Sequence, residues 1–427
     1  MLDINFIREN SEKVKERLGK RLFTNLKLVD KTLELDGKRK KLIVEVEDLR
    51  SKRNKAAKEK DIATGKKIKE ELLKVEPQLV KAEKELEKAL MNIPNLPDED
   101  VSAGREENRE LMRQVGELPK FDFHPKDHLD LGIHLGILDV ERAVKISGTR
   151  FAYLKGDGVL LEFALVNFAL EKLIKKGFLP ISPPMLIKKE ITDKLGYWHG
   201  GGNENYYLVK DAENDLDLYL VGTGEHSVVP MHSGEIFVEK ELPKKYVAFS
   251  SCFRREAGTY GKDTRGILRV HQFDKVEMVA FVKPEDGEKT LKELLEISEG
   301  LMQDLKLPYQ VVKLAAGDIG FPTAKTFDIE TWLPGQGKYR ETHSISTTTD
   351  YQARRLNIKY EAPALFAGGK PSGLNFRNYV YILNGTAFAI GRTITAILEN
   401  YQQKDGSVKI PKVLQKWMGK EKITSKF

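Results

Sequence analysis

The chain has 427 residues, 40% of them hydrophobic, which is enough for a sizeable core and long for one domain, so two or three units are expected. Its net charge of +7 hints at a polyanionic partner without requiring one. A single cysteine, Cys252, excludes an intramolecular disulfide and a cysteine-rich zinc site. The opening MLDINFIREN has no apolar signal core, and no run approaches about 18 apolar residues. The chain therefore reads as cytosolic.

Composition changes near residue 97. Before it, Lys, Glu and Leu dominate, with no aromatic after Phe23. Leu28, Leu35, Leu42, Leu49 and Ala56 recur every seven residues. Ile68, Leu72, Val75, Leu79, Ala82, Leu86, Ala89 and Ile93 alternate fours and threes. Both are heptad seams. With Ala63-Thr64-Gly65 as a stop and turn, they predict an antiparallel helical hairpin. Pro77 inside the second seam predicts a kink or a restart there. Pro94-Asn95-Leu96-Pro97 ends the arm, and 98–125 reads as a linker with little regular structure.

From Arg150 onward helix and strand patterns alternate. Leu160–Lys175, Leu291–Leu305 and Ala387–Gln402 read as helices. Tyr246–Ser250, Ile267–Phe281, Thr326–Leu333 and Tyr379–Leu383 read as strands. Strands in hairpins with helices between the sets predict an α+β domain on an antiparallel sheet. The expected division is 1–110, a helical-arm unit, and 111–427, a sheet domain.

Four blocks carry chemistry. In Phe253-Arg254-Arg255-Glu256, a strand would put Arg254 and Glu256 on one face. A fixed guanidinium suits phosphate or carboxylate, and a carboxylate suits an amino group. Gly258 to Asp263 forms a turn-rich tip, and Val270 and Phe273 lie on the returning segment, where an aromatic can stack on a base. In the second block, Glu341-Thr342-His343-Ser344, Glu341 and Ser344 offer oxygens of the kind Mg²⁺ takes, although a polar strand edge gives the same pattern. In the third, Asn384-Gly385 reads as a turn before a helix bearing Arg392, which needs an anionic partner or a buried ion pair. In the fourth, Thr223-Gly224-Glu225 sits on a glycine-flanked loop and by itself reads as a solvated turn. His124, His128 and His134 with Asp127 and Asp130 have metal-like spacing but no organising apolar face. Gly200-Gly201-Gly202 lacks the lysine of a phosphate loop.

Together the blocks resemble the motifs of class II aminoacyl-tRNA synthetases, and most specifically the seryl-tRNA synthetase family. Arg150 through GFLPISPPMLI (177–187) is similar to motif 1, FRREAGTYGKDTRGILRVHQF to motif 2, and LNGTAFAIGRT to motif 3. The heptad hairpin resembles the family's tRNA-binding arm. The likeness spans nearly the whole chain and implies ATP and Mg²⁺ as cofactors, L-serine and tRNA(Ser) as partners, and a homodimer. The family also serylates tRNA(Sec) in organisms that have it. It implies that Arg254, Glu256 and Arg392 are catalytic. Thr223, Gly224, Glu225, Arg254, Glu277 and Thr386 would hold serine. Arg254, Arg255, Glu256, Val270, Phe273, Glu341, Thr342, His343, Ser344 and Arg392 would hold ATP, with Glu341 and Ser344 on Mg²⁺. Arg39, Lys40, Arg50, Arg53 and Lys55 would grip tRNA. His343 stands where a small residue is usual, and Thr347-Thr348 where Asn-Cys is usual. Two other readings compete with this one. The first is an amino-acid-activating enzyme that loads a non-tRNA acceptor; the intact basic arm speaks against it. The second is a non-catalytic coiled-coil RNA-binding protein; the joint presence of Arg254, Glu256, Glu341 and Arg392 speaks against that.

Overall fold

A computed structural model describes residues 1–197, 202–211, 216–257, 265–365 and 371–425. The 258–263 tip and two of the three glycines at 200–202 lie outside them.

The arm is two long helices, α1 (Lys27–Lys58) and α2 (Ile62–Met91). Leu42, Val46, Leu49 and Ala56 of α1 are buried with Ile68, Leu72, Val75 and Ala82 of α2, so the heptad seams meet as expected. The turn comes earlier than expected. Asp61 caps α2, its carboxylate accepting the Thr64 amide at 3.0 Å, and Ala63-Thr64-Gly65 already belong to the first helical turn. No restart occurs at Pro77, and α2 is continuous through it. Pro77 and Leu73, whose carbonyl loses its donor, are both exposed, so water can serve that carbonyl while the seam stays dry.

The second unit is built on eight strands: β1 (Glu110–Val115), β2 (Leu179–Ile181), β3 (Lys244–Phe253), β4 (Gln272–Val282), β5 (Tyr309–Lys313), β6 (Lys325–Leu333), β7 (Lys338–Thr349) and β8 (Tyr381–Ala389). Their spatial order is β1-β5-β6-β7-β8-β4-β3-β2. Every pairing is antiparallel except β2 with β3. Helices α3 (Asp157–Lys175), α4 (Gly287–Asp304) and α5 (Ile390–Asn400) supply Leu165, Leu294 and Ile394 to the main core. Among the described residues no helix is long and apolar enough to cross a membrane.

Three local expectations are corrected. The 98–125 stretch is not structureless: β1 extends the sheet, Glu110 opposite Lys313 and Val115 opposite Tyr309. Its residues are nearly all exposed, so no alternation marked it as a strand. β4 starts at Gln272 rather than Ile267, because 266–271 is irregular backbone held by side chains. β8 runs to Ala389, so Asn384-Gly385 is mid-strand, not a turn, and the helix begins three residues late.

The histidine cluster is structural. His128 is buried, with Nδ1 at 3.1 Å from Glu399 and Nε2 accepting the Ile267 amide at 3.2 Å. Asp127 caps the short helix His128–His134 by accepting the Asp130 amide. No group of three or more His, Cys, Asp or Glu side chains placed to hold a metal ion is found among the described residues.

Candidate active site

A cavity of about 460 Å³ opens on the sheet face at the junction of β4, β6, β7 and β8. Arg254 enters it from just beyond the end of β3. Its Nε donates to Gly222 O at 3.0 Å, and its guanidinium lies 5.4 Å from the Phe273 ring centre. His271 locks the local backbone: its amide donates to Arg150 O and its carbonyl accepts the Arg254 amide, both at 2.9 Å. No carboxylate pairs with Arg254 among the described residues, which leaves its fork for an anion.

Glu256 reaches the cavity by a different route from the strand alternation expected. It lies three residues past the end of β3, with φ at 51°, the left-handed region. That turn brings Arg269 Nη1 to 2.5 Å from its carboxylate. Arg255 is exposed and does not line the cavity.

At one end of the cavity Arg392, in the first turn of α5, donates to the Glu341 carboxylate at 2.8 Å and to Glu341 O at 3.0 Å. Its Nε reaches Leu268 O at 3.3 Å, holding the irregular 266–271 segment, and Val270 and Phe273 of that wall face the cavity. Burial pushes the Glu341 carboxyl up, but Arg392 and Arg254 outweigh it and hold the group below its ordinary value. Ser344 lines the same wall and stands opposite Asp328 on β6. Asp328 is buried, and its Oδ1 has no hydrogen-bond partner. Burial, with Glu341 next to it, drives its carboxyl well above the usual range. An unpaired buried carboxylate oxygen beside a carboxylate and a hydroxyl is an oxygen-donor set that fits a hard divalent cation.

His343 does not join this wall. A bulge in the β6–β7 pairing precedes it, and its ring turns away from the cavity. Nε2 lies 3.0 Å from Ala387 O and Nδ1 2.8 Å from Thr342 Oγ1, while burial pulls the ring's pKa down to about 4. It is a neutral core histidine. Thr342 itself is buried, lines the cavity and bonds Thr331 Oγ1 at 2.7 Å.

The other end is acidic and fully walled. Thr223 and Glu225 are buried, and Glu225 opens a short helical turn rather than a solvated loop. Gly224 admits no side chain easily, since a Cβ there would lie 3.2 Å from Ala248 Cβ and 3.3 Å from Ser250 Oγ. Glu225 accepts from Tyr197 Oη at 2.8 Å and Gln352 Nε2 at 3.2 Å. Burial, then the nearby Glu277, raises its pKa to about 7. Glu277 already has a cation, Lys275 at 2.7 Å, and receives Thr386 Oγ1 at 3.3 Å from the adjoining strand. Asn384 was missed as a cavity residue because Asn-Gly reads as a turn. It lines the cavity with its Nδ2 buried and unpartnered.

Comparison with known proteins identifies the family. Residues 1–97 match the seryl-tRNA synthetase N-terminal domain, and 207–401 match the tRNA synthetase class II core domain (G, H, P, S and T). The serine–tRNA ligase of Thermodesulfovibrio yellowstonii is 44% identical, the alignment covering 98% of this chain and 99% of that protein. The chain belongs to the seryl-tRNA synthetase family. The solved seryl-tRNA synthetase of Pyrococcus horikoshii, complexed with ATP, superimposes with a TM-score of 0.90 at 38% identity, covering 100% of both chains. The cytoplasmic serine–tRNA ligase of Naegleria fowleri, in complex with AMP, gives 0.87 at 36%, covering 100% of this chain and 99% of that one.

The arm residues named from sequence differ in availability. Arg50 is 2.9 Å from Glu76, Arg39 is 3.7 Å from Asp36 and from Glu83, and Lys40 is 3.9 Å from Asp36. Arg53 and Lys55 are exposed, with no ion pair among the described residues.

Proposed function

We propose that this seryl-tRNA synthetase activates L-serine with ATP in the described cavity and passes it to the terminal ribose of tRNA(Ser). The serine carboxylate attacks the α-phosphorus of ATP, giving seryl-adenylate and pyrophosphate. A ribose hydroxyl then takes the seryl group and AMP leaves. Both steps need charge neutralisation and alignment more than a strong acid or base. The observation that carries the reading is Arg254, a part-buried guanidinium without a carboxylate partner among the described residues. It touches the Gly222 carbonyl at the acidic end and an aromatic face at the other. It would bridge the serine carboxylate and the α-phosphate, with Phe273 stacking on adenine, Glu256 meeting its amino group and Arg392 on the γ-phosphate. Glu341 and Ser344, with Asp328 behind them, would hold Mg²⁺, which neutralises phosphate charge when bound.

The ion pairs refine the serine end. Glu277 is neutralised by Lys275, whereas Glu225 has no ion pair among the described residues. Glu225 is therefore the carboxylate for the serine ammonium, and Glu277 with Thr386 and Asn384 suits the hydroxyl. Alanine would leave these buried polar groups unpaired, which is the strong form of discrimination.

Of the five arm cations named from the sequence, Arg53 and Lys55 are the ones without an ion pair among the described residues and so free to meet the tRNA backbone. A homodimer is supported by an apolar exposed face. Leu160, Phe163 and Ile174 of α3 and Leu179 on the edge strand β2 are each about half exposed or more. A cytoplasmic location suits the substrates, ATP and tRNA. The test is amino-acid-dependent ATP–pyrophosphate exchange with serine, alanine, threonine, cysteine and glycine. Serine exceeding the others supports the reading, and exchange with none of them overturns it.

A further inference from the structure

Arg21 ends the second short helix of the N-terminal unit, Ser11–Lys20. Its guanidinium crosses to the catalytic unit and meets four backbone carbonyls. Nη1 donates to Asn95 O at 2.9 Å and Thr323 O at 2.7 Å. Nη2 donates to Ile319 O at 3.1 Å and Gly320 O at 2.6 Å. Three of these acceptors belong to the segment joining β5 to β6, and Ile319, Gly320 and Thr323 line the reaction cavity. The neighbouring Asn95 holds the same segment: its amide donates to Phe321 O and its Nδ2 to Pro322 O, both at 3.0 Å.

The segment lies beside the acidic end of the site. A Cβ placed on Gly320 would sit 3.7 Å from the Tyr197 ring, and Tyr197 Oη donates to Glu225. Arg21 thus holds the 319–323 carbonyls, and the segment they belong to lines the same cavity as Tyr197 and Glu225. The chemistry of Arg21 is also unusual. No carboxylate pairs with it among the described residues, and burial pulls its pKa down to about 10. A cation in such a place is held by charge-assisted bonds to carbonyl dipoles, and it loses them all if the carbonyls move. Its planar fork spans two pairs of acceptors at once, which a lysine ammonium cannot do.

We propose that Arg21 is a positioning residue for the amino-acid end of the site. It fixes the 319–323 wall, against which Tyr197 rests and orients Glu225. The N-terminal unit is then part of the amino-acid site as well as a carrier of the arm. The inference rests on the assignment of that end to serine.

The experiment is serine-dependent ATP–pyrophosphate exchange without tRNA, on the full chain and on Arg21→Gln, Arg21→Lys and Arg17→Gln. Arg17 is the control, because it bonds Pro97 O at the same junction and not the cavity wall. Arg21→Gln should raise the serine KM about tenfold while the ATP KM stays within about twofold, and Arg21→Lys should recover part of the loss. Arg17→Gln should leave both constants within about twofold. Serine and ATP constants rising together, Arg17→Gln matching Arg21→Gln, or no change in Arg21→Gln would each overturn the proposal. If thermal melting shows Arg21→Gln unfolded at the assay temperature, Arg21→Lys decides by the same split between the two constants. A wild-type chain that exchanges with no amino acid overturns the functional reading itself, whereas an active wild type with unshifted Arg21 variants overturns only this inference.

Discussion

Along the arm, residues that touch are set by a repeat: Leu42, Val46 and Leu49 face Ile68, Leu72 and Val75 across one turn. In the cavity, Thr386 reaches Glu277 from 109 positions away and Gln352 reaches Glu225 from 127. The arm is quasi-one-dimensional, so a change there should stay local. The cavity is a meeting of strand registers, so one altered side chain there should disturb a reaction that depends on all of them. The contrast is strongest at Arg254. Arg254→Ala should lower serine-dependent exchange by roughly 10²–10³-fold, the range seen when one preorganised charge-stabilising donor is removed. Circular dichroism and melting should remain near wild type. Unchanged exchange would remove Arg254 from the site.

A smaller effect separates the metal wall from the rest of the cavity. Glu341→Gln deletes a charge beside Ser344 and the orphan oxygen of Asp328. The Mg²⁺ concentration for half-maximal exchange should rise about 10–100-fold. Mn²⁺ binding, read by paramagnetic resonance in the presence of ATP, should weaken in parallel. Retained Mn²⁺ affinity would put the metal elsewhere.

Glu225 gives a pH test with a definite sign. Its pKa is raised from the ordinary 4.5 to about 7. The unliganded fold therefore holds a proton that the unfolded chain has already lost between these values. Its contribution to stability is present at low pH and is lost as pH rises through about 7. Serine brings an ammonium that favours the carboxylate, so binding should release a proton near pH 6 and almost none at pH 8. Serine affinity should fall severalfold between pH 8 and pH 6. Calorimetry in buffers of different ionisation enthalpy reads this directly, and equal proton release at both pH values would rule it out.

How far the sequence could be read follows the same division. The seams of α1 and α2 were legible because period and packing coincide, and Pro77 brings no restart because it lies on the exposed face, where water can serve the freed carbonyl. In the cavity, residue types were legible but directions were not. His343 turned inward and Arg255 outward for reasons of bulge and strand end that no local pattern records. Asn384 was hidden by an Asn-Gly pair that sits mid-strand, and β1 by a run with no buried face. Tyr197, Gln352 and Arg21 act through residues more than 25 positions away, with no motif of their own.

Arm charges should affect only the second step. Replacing Arg53 and Lys55 with Gln removes two exposed cations with no ion pair among the described residues, so tRNA affinity should drop severalfold. The salt slope of binding should fall by about two, one for each lost phosphate contact. Serine exchange should be unchanged. Arg50→Gln should do less, because Arg50 is shared with Glu76.

The smallest expected effect on catalysis is the sharpest test of independence. Pro77 deletes a hydrogen bond on the exposed face of α2, so Pro77→Ala should strengthen the arm by about 1–3 kcal/mol. Amide exchange should slow around 73–77, while serine and ATP constants stay within about twofold. The polar link from the N-terminal unit to the 319–323 wall runs through Arg21 and Asn95, at the base of the arm rather than along its length. Stiffening the middle of α2 should therefore leave the 319–323 wall where it is. If Pro77→Ala shifted the serine KM, the long helices would carry strain into the cavity, and the arm would have to be treated as part of the amino-acid site.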